Sequence, residues 1–318
     1  MSSNPQVLTI GDAMITMNPS SKGPLRYVST FERKMGGAEL NFAIGCARLG
    51  MTSRWISRLG NDEFGRVIYN FARGEGVDMS KVQFVDGYPT SLNFKEIHED
   101  GSGKTFYYRY QSPILSFSPE DITDDMFEGI DLVHLSGVFL AIVPQNIEIV
   151  MEIVKKAKEK DIPISFDPNI RLKLWTIEEA RIAYEKVLPS VDIFLTGLEE
   201  VRLIFGRDSK EDLAELAQHY GIKDFVVKDG GNGSSVYRNG VWTKAEAFKI
   251  SVVDTVGAGD GFDAGYIYGY LNQYEPAEIL RFANGVGALV TTVSGDNEGL
   301  PYLEEVKAFI NQEMVIER

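Results

Sequence analysis

Asp254-Thr255-Val256-Gly257-Ala258-Gly259-Asp260-Gly261-Phe262 reads as a tight glycine-rich turn opening into a helix. Residues 264–271 continue without proline and with only two further glycines, so a helix is expected from about Ala258. Small residues let backbone N–H groups converge on an anion, and a helix N-terminus adds unpaired donors and partial positive charge. Asp260 falls in the first turn. A carboxylate beside an anion cradle suits phosphoryl transfer, with the backbone holding the moving charge and the aspartate taking a proton from a hydroxyl. Aspartate is also a favoured helix cap, and the local residues leave that use open.

Working outward, the apolar run 7–10 ends at Gly11-Asp12, a buried-strand pattern with a turn at its carboxyl end. In open α/β sheets, ligands gather at such ends. Gly36-Gly37 precedes a helical pattern over 37–49 that closes at Gly50. Asn41 lies one helical turn after Gly37, on the same face. Strand patterns at 54–59, 132–135, 163–166, 192–195 and 225–228 alternate with helical ones at 62–73, 144–160, 177–188, 199–205 and 210–220. Strands follow at 234–237 and 241–244, and helices at 276–293 and 303–312. This alternation predicts an α/β fold with a mostly parallel central sheet and helices on both faces. Residues 13–35 and 91–110 break the pattern. The second contains Asp100-Gly101-Ser102-Gly103 between alternating stretches, a β-hairpin signal.

At 318 residues, 44% hydrophobic and 25% charged, the chain has the composition of a normal globular protein. A net charge of −14 argues against nucleic-acid binding. The single cysteine, Cys46, permits no intrachain disulfide and suits a reducing cytosol. No signal peptide and no apolar run long enough for a membrane span are found, so a cytoplasmic protein is expected.

Gly101-Ser102-Gly103-Lys104-Thr105 looks like the end of a P-loop, but the first glycine of that pattern falls on His98 and a strand follows, so a hairpin turn is expected. No Gly-x-Gly-x-x-Gly opens the first helix, and a dinucleotide oxidoreductase is unsupported. Arg171 lies in a loop after the strand 163–166, with a planar fork suited to carboxylate or phosphate. A surface salt bridge is the plainer use.

The opening nonamer resembles the Asp-Thr-x-Gly-Ala-Gly-Asp signature of the ribokinase-like sugar kinases, also called the phosphofructokinase-B family. Gly36-Gly37-Ala38-Glu39-Leu40-Asn41-Phe42-Ala43 resembles its N-terminal signature. The resemblance runs over nearly the whole chain. It implies a single ribokinase-like α/β domain over 1–318, with the segments at about 13–35 and 91–110 forming a small, discontinuous β-sheet lid. It implies ATP and Mg2+ as cofactors, with a monovalent cation as a further candidate. Asp260 would be the catalytic base, and the N–H groups of Gly257, Ala258, Gly259 and Asp260 would hold the transferring phosphoryl group. Asp12, Gly36, Gly37 and Asn41 match positions that hold sugar hydroxyls. Lys228, Gly230 and Gly233 match a stretch beside the nucleotide, with Asn284 a weaker match there. Glu200 matches a glutamate that holds magnesium through water, with Glu199 open in the adjacent register.

Two further stretches narrow the resemblance. Asp167-Pro168-Asn169-Ile170-Arg171-Leu172-Lys173-Leu174-Trp175 is similar to fructokinases and 2-keto-3-deoxygluconate kinases, and Tyr107-Tyr108-Arg109 is nearer the latter. There Tyr107, Arg109 and Arg171 would hold the sugar. The chain departs from the pattern at Gly197, where an asparagine is usual, at Asn93, where an aromatic is common, and at Tyr110-Gln111-Ser112-Pro113. The implied activity is ATP-dependent phosphorylation of a 2-keto-3-deoxy acid sugar. Fructokinase, ribokinase or a non-catalytic sugar sensor are the alternatives. Three further expectations follow. Asp260, beside a helix N-terminus, should have a low pKa. Arg109 and Arg171 should converge unpaired on a carboxylate. The lid should join two copies into a homodimer.

Overall fold

The computed structural model describes residues 4–99 and 102–311. Asp100 and Gly101 of the expected hairpin turn lie outside that range, as does Gln312, the expected end of the last helix. The strands are β1 (Gln6–Ile10), β2 (Met14–Pro19), β3 (Phe31–Gly36), β4 (Thr52–Gly60), β5 (Val82–Val85), β6 (Ser91–Ile97), β7 (Gly103–Tyr108), β8 (Leu132–Ser136), β9 (Ile164–Asp167), β10 (Ile193–Gly197), β11 (Asp224–Lys228), β12 (Ser234–Arg238) and β13 (Val241–Ala245). The helices are α1 (Ala38–Arg48), α2 (Glu63–Gly74), α3 (Gly137–Ile142), α4 (Asn146–Glu159), α5 (Ile177–Val187), α6 (Leu198–Phe205), α7 (Lys210–Tyr220), α8 (Ala258–Leu271), α9 (Pro276–Val290) and α10 (Leu303–Asn311).

The large sheet has nine strands in the order β13-β12-β11-β10-β9-β8-β1-β4-β5. All pairs from β11 to β5 are parallel, and only β12 and β13 add antiparallel at one edge. Central strands are apolar on both faces because both are covered. Leu8 and Ile10 of β1 pack into a layer built on α3–α7, while Val7 faces a layer built on α1, α8 and α9.

Two differences from the sequence pattern have local causes. The run Val138-Phe139-Leu140-Ala141-Ile142 has no helical spacing, yet α3 forms because Ser136 caps it, its side chain accepting from Val138 N–H. Helix α9 ends at Val290, not 293. Thr291 and Thr292 turn their hydroxyls back onto the carbonyls of Ala288 and Leu289, and Thr291 O accepts instead from the N–H groups of Val253 and Asp254.

The two segments that break the alternation pair into one four-stranded sheet, β3-β2-β6-β7. Two antiparallel hairpins join along a parallel seam, with Met14 opposite Ser91 and Thr16 opposite Asn93. Side chains alternate between faces. Met14, Asn93, Lys95, Thr105 and Tyr107 face a cleft against the main body. Phe31, Phe94 and Tyr108 form an edge-to-face aromatic row on the other side.

Candidate active site

The cleft between the small sheet and the carboxyl ends of the parallel strands has a volume of about 830 Å3. Its floor holds Asp167 from the end of β9, Gly197 from β10 and Lys228 from β11. One wall is the start of α1, with Gly36, Gly37 and Asn41, and another is the start of α8, with Gly257, Gly259 and Asp260.

The turn into α8 requires glycine at its cap. Gly257 has φ +78°, and a Cβ there would lie 2.2 Å from the carbonyl oxygen of Asp296. At Gly259 the nearest atom to an added Cβ is Lys228 Nζ at 3.8 Å, so this side of the first turn is open. The helical ladder begins with Gly261 N–H donating to Gly257 O, and the N–H groups of Gly259 and Asp260 precede it. Ala258 N–H is engaged by Thr255 O at 3.3 Å, which narrows the expected donor set. Gly37 plays the matching part at α1: its φ is +145°, and a Cβ would lie 2.6 Å from Asp12 O.

Asp260 is held by two amides. Asn41 Nδ2 donates to Oδ2 at 2.8 Å and Asn169 Nδ2 to Oδ1 at 3.2 Å. The expectation of a low pKa is corrected here. Burial pushes the carboxyl up to about 6, outweighing the Asn41 bond and the nearby charges of Arg171 and Lys228, which favour the ionised form. A base must be ionised to accept a proton. If Asp260 is the base, kcat should rise with pH through an acid limb near 6 and level off above it. A limb near 4 in the pH profile of kcat would show instead that burial does not hold the Asp260 carboxyl up in the working complex.

Behind Asp260, the Lys228 ammonium is buried between Asp167 Oδ2 at 3.1 Å and Asp263 Oδ1 at 3.0 Å. Burial alone would lower its pKa, but the two carboxylates more than offset this and keep it charged. Glu200 accepts from Gly197 N–H and Ile170 N–H, each at 2.8 Å. Burial, and then the charge of Asp167, raise its pKa. Among the described residues no three acidic, histidine or cysteine side chains group closely enough to cage a metal ion. A magnesium ion fits this donor set in the way it commonly binds, on phosphate oxygens and water with one carboxylate nearby.

Arg109 departs from its expectation. Its Nη2 donates to Asp12 Oδ2 at 2.9 Å, so its charge is already compensated, and Ser112 Oγ donates to the same oxygen at 3.0 Å. Asp12 sits behind Arg109, its Oδ1 buried without a partner among the described residues. Arg171 lines the cleft, and no acidic partner pairs with it among the described residues; it reaches only Ile170 O at 3.4 Å. Tyr107 and Arg109 line the opposite side. Gly230 and Gly233 shape the turn after β11, away from the cleft lining. Asn284 is turned inward, accepting from Ser234 Oγ and donating to Ala245 O and Glu246 O.

A family model described as pfkB family carbohydrate kinase matches residues 4–303. The chain belongs to that family. It is therefore a sugar kinase, a phosphotransferase acting on an alcohol. A 2-dehydro-3-deoxygluconokinase of Thermoproteus tenax is 33% identical over 308 residues, 96% of this chain and 94% of the relative. A protein described as probable fructokinase-6, chloroplastic, of Arabidopsis thaliana is 31% identical over 95% of this chain and 82% of its own. Among solved structures, a protein of E. coli described as a ribokinase II, in complex with ATP and Mg2+, superposes with a TM-score of 0.90. It is 27% identical and covers 97% of this chain and 100% of its own.

Within this kinase, four residues beside the site escaped the sequence reading of individual roles. Asn169 holds Asp260 from a left-handed backbone, φ +35°, a conformation asparagine tolerates. It stood in the quoted Asp167–Trp175 stretch, where only the arginine was singled out. Asp167 and Asp263 are visible only as partners of Lys228. Glu39 is buried with both oxygens unpartnered among the described residues, and burial pushes its pKa up to about 8. A lone glutamate in a helical pattern carries no such signal.

Proposed function

We propose that this kinase transfers the γ-phosphoryl group of ATP to a hydroxyl of 2-keto-3-deoxygluconate, the small sheet acting as a lid over the sugar. The observation that carries the acid sugar is Arg171, a cation in the cleft with no acidic partner among the described residues. The name of the Thermoproteus tenax relative points the same way. Bound ATP with Mg2+ would supply the phosphoryl group and neutralise charge on its oxygens, and Glu200 and Lys228 are the residues that would face it. The residues of this chain do the rest. Asp260 orients the acceptor hydroxyl and takes its proton as the oxygen–phosphorus bond forms and the bond to ADP breaks. The N–H groups of Gly259 and Asp260 face the charge that builds on the transferring group. Gly36, Gly37, Asn41, Tyr107 and Arg109 surround the sugar. Gly230, Gly233 and Asn284 would shape the nucleotide side. Exchanging potassium for tetramethylammonium in the assay tests for a monovalent cation.

The test compares kcat/KM for 2-keto-3-deoxygluconate and fructose, on the wild type and on Arg171→Ala. A charge-assisted hydrogen bond contributes roughly 1.5–3 kcal/mol, about ten- to a hundredfold in selectivity. The acid sugar should be preferred, and Arg171→Ala should erase most of the preference. Preference for fructose by the wild type would replace this reading with a fructokinase, and absence of turnover on any sugar would favour a sensor.

The outer face of the lid leaves Phe106 and Tyr108 exposed. We propose that a second copy covers this face, giving a homodimer. A monomeric mass at micromolar concentration would refute it. No helix among the described residues is long and apolar enough to cross a membrane, and the supply of ATP suits a cytoplasmic enzyme.

A further inference from the structure

The segment 294–298, between α9 and α10, touches both the small sheet and the cap of α8. Lys34 Nζ donates to Ser294 O at 3.2 Å, and Lys95 pairs with Asp296 at 2.9 Å. Gly295 N–H donates to Asp254 Oδ2 at 3.3 Å, and the carbonyl of Asp296 packs on Gly257. Asn297 lies within this segment and is fully buried.

The amide of Asn297 is a junction. Its Nδ2 donates to Met35 O at 3.0 Å and to Asn41 Oδ1 at 3.4 Å. Asn41 in turn donates from Nδ2 to Asp260 Oδ2 at 2.8 Å. An asparagine amide is asymmetric, with a donor on one side and an acceptor on the other. Turned over, Asn41 would set its oxygen against the Asp260 carboxylate. Asn297 selects the productive orientation, because its NH2 group requires an acceptor from Asn41. Asn297 cannot itself turn over without placing its oxygen against Met35 O. Its own Oδ1 is left buried without a partner among the described residues. An apolar side chain of similar size would remove that unpaired oxygen but would strip the donor from Met35 O and Asn41 Oδ1, so what the amide contributes here is its NH2 group.

We propose that Asn297 is a positioning residue for phosphoryl transfer: through Asn41 it fixes the orientation of the Asp260 carboxylate, and through Met35 it ties that orientation to the small sheet. This rests on Asp260 acting as the base. The chain of donors runs one way, from Asn297 to Asn41 to Asp260, so loss of the first link frees the second. Asn41 holds the Asp260 pKa down against burial. A freed Asn41 therefore lets that pKa rise, and the acid limb of kcat moves to higher pH.

The experiment is a double-mutant cycle of Asn297→Leu and Asn41→Ala, read as kcat, KM and pH profile. Each single variant should lower kcat roughly tenfold with KM for ATP changed less than about twofold. The double variant should be no more than about twofold worse than Asn41→Ala alone, since the two side chains act as one unit. Multiplication of the two single effects, to roughly a hundredfold loss, would overturn the proposal. So would an Asn297→Leu enzyme with the wild-type rate and acid limb. Should Asn297→Leu not fold, Asn297→Ser carries the same measurements. A separate readout needs no turnover: a 13C NMR titration of the Asp260 carboxyl in the ligand-free protein, assigned by its loss in Asp260→Asn. Its midpoint should move up from about 6 in the Asn297 variant, and an unmoved midpoint refutes the proposal. If the wild type phosphorylates nothing, the kinase reading fails while this titration still judges the positioning role.

Discussion

Asp260→Asn is expected to lower kcat by about 10²- to 10⁴-fold, the usual cost of losing a general base. The amide has the size of the carboxylate but cannot accept a proton at neutral pH. The stability of the variant distinguishes the catalytic reading from the capping one. Burial pushes Asp260 up to about 6, above the unfolded value near 3.9. A group raised in this way contributes stability that is present below the unfolded pKa and lost as pH rises through the folded one. At pH 8 the wild type therefore carries a buried charge that the Asp260→Asn variant lacks. The substitution does set an amide against the two NH2 groups of Asn41 and Asn169, so one of those bonds is lost. These effects oppose each other, and their difference should favour the variant more at pH 8 than at pH 4. Slow turnover with a thermal midpoint near or above that of the wild type at pH 8 is the expected pair of results. A variant with nearly full turnover and a clear loss of stability would make Asp260 a structural cap.

Lys228→Met should have the largest effect on folding, a loss of roughly 3–5 kcal/mol, the range for stripping one partner from a buried ion pair. The ammonium lies between two carboxylates that are themselves nearly inaccessible, Asp167 and Asp263. Methionine fills most of the space but removes the counter-charge: against burial, Lys228 holds the Asp167 carboxyl below its ordinary range, while burial already raises Asp263 well above it. Without Lys228 the Asp167 pKa should rise too, so the variant takes up protons on folding. The deficit should therefore grow as pH rises through the carboxylate range, and shrink in acid. Urea titrations at pH 5 and pH 8 read this directly. Equal deficits at the two pH values would show that packing, and not charge, explains the loss.

The glycine-rich turn before α8 was legible in the sequence because its signal is local. A glycine-rich stretch before a helix needs no partner elsewhere to be recognised, and α8 begins at Ala258 as expected. The alternation of strands and helices was equally plain, since each parallel strand is a compact apolar run. The four-residue β5, with exposed Gln83 and Phe84, lacked both length and pattern. What the sequence hid was pairing. Arg109 in a strand pattern shows nothing of Asp12 waiting 97 positions away. The same distance problem misled the reading of Asp260. A helix N-terminus is visible locally and argues for a low pKa, whereas the desolvation that reverses it comes from chain segments brought in by folding. Asn169 and Asn297 both reach the aspartate or its neighbour from loops, where spacing carries no information about direction.

The small sheet enters the chain as two hairpins, β2-β3 and β6-β7, far from the residues at 228, 257, 259 and 260 that line the other side of the cleft. Its cleft-facing positions alternate with outward ones along each strand. A lineage can therefore change Asn93, Thr105 or Tyr107 one at a time while the outer face and the α8 turn stay as they are, whereas Lys95 is tied to that turn through Asp296. A single-residue insertion within β6 would instead exchange the two faces and bring aromatic side chains into the cleft. Substitution is thus a gradual route to a new sugar, and length change inside these strands an abrupt one. Over evolutionary time this favours diversification by point changes in the hairpins, with insertions confined to the turns that join them.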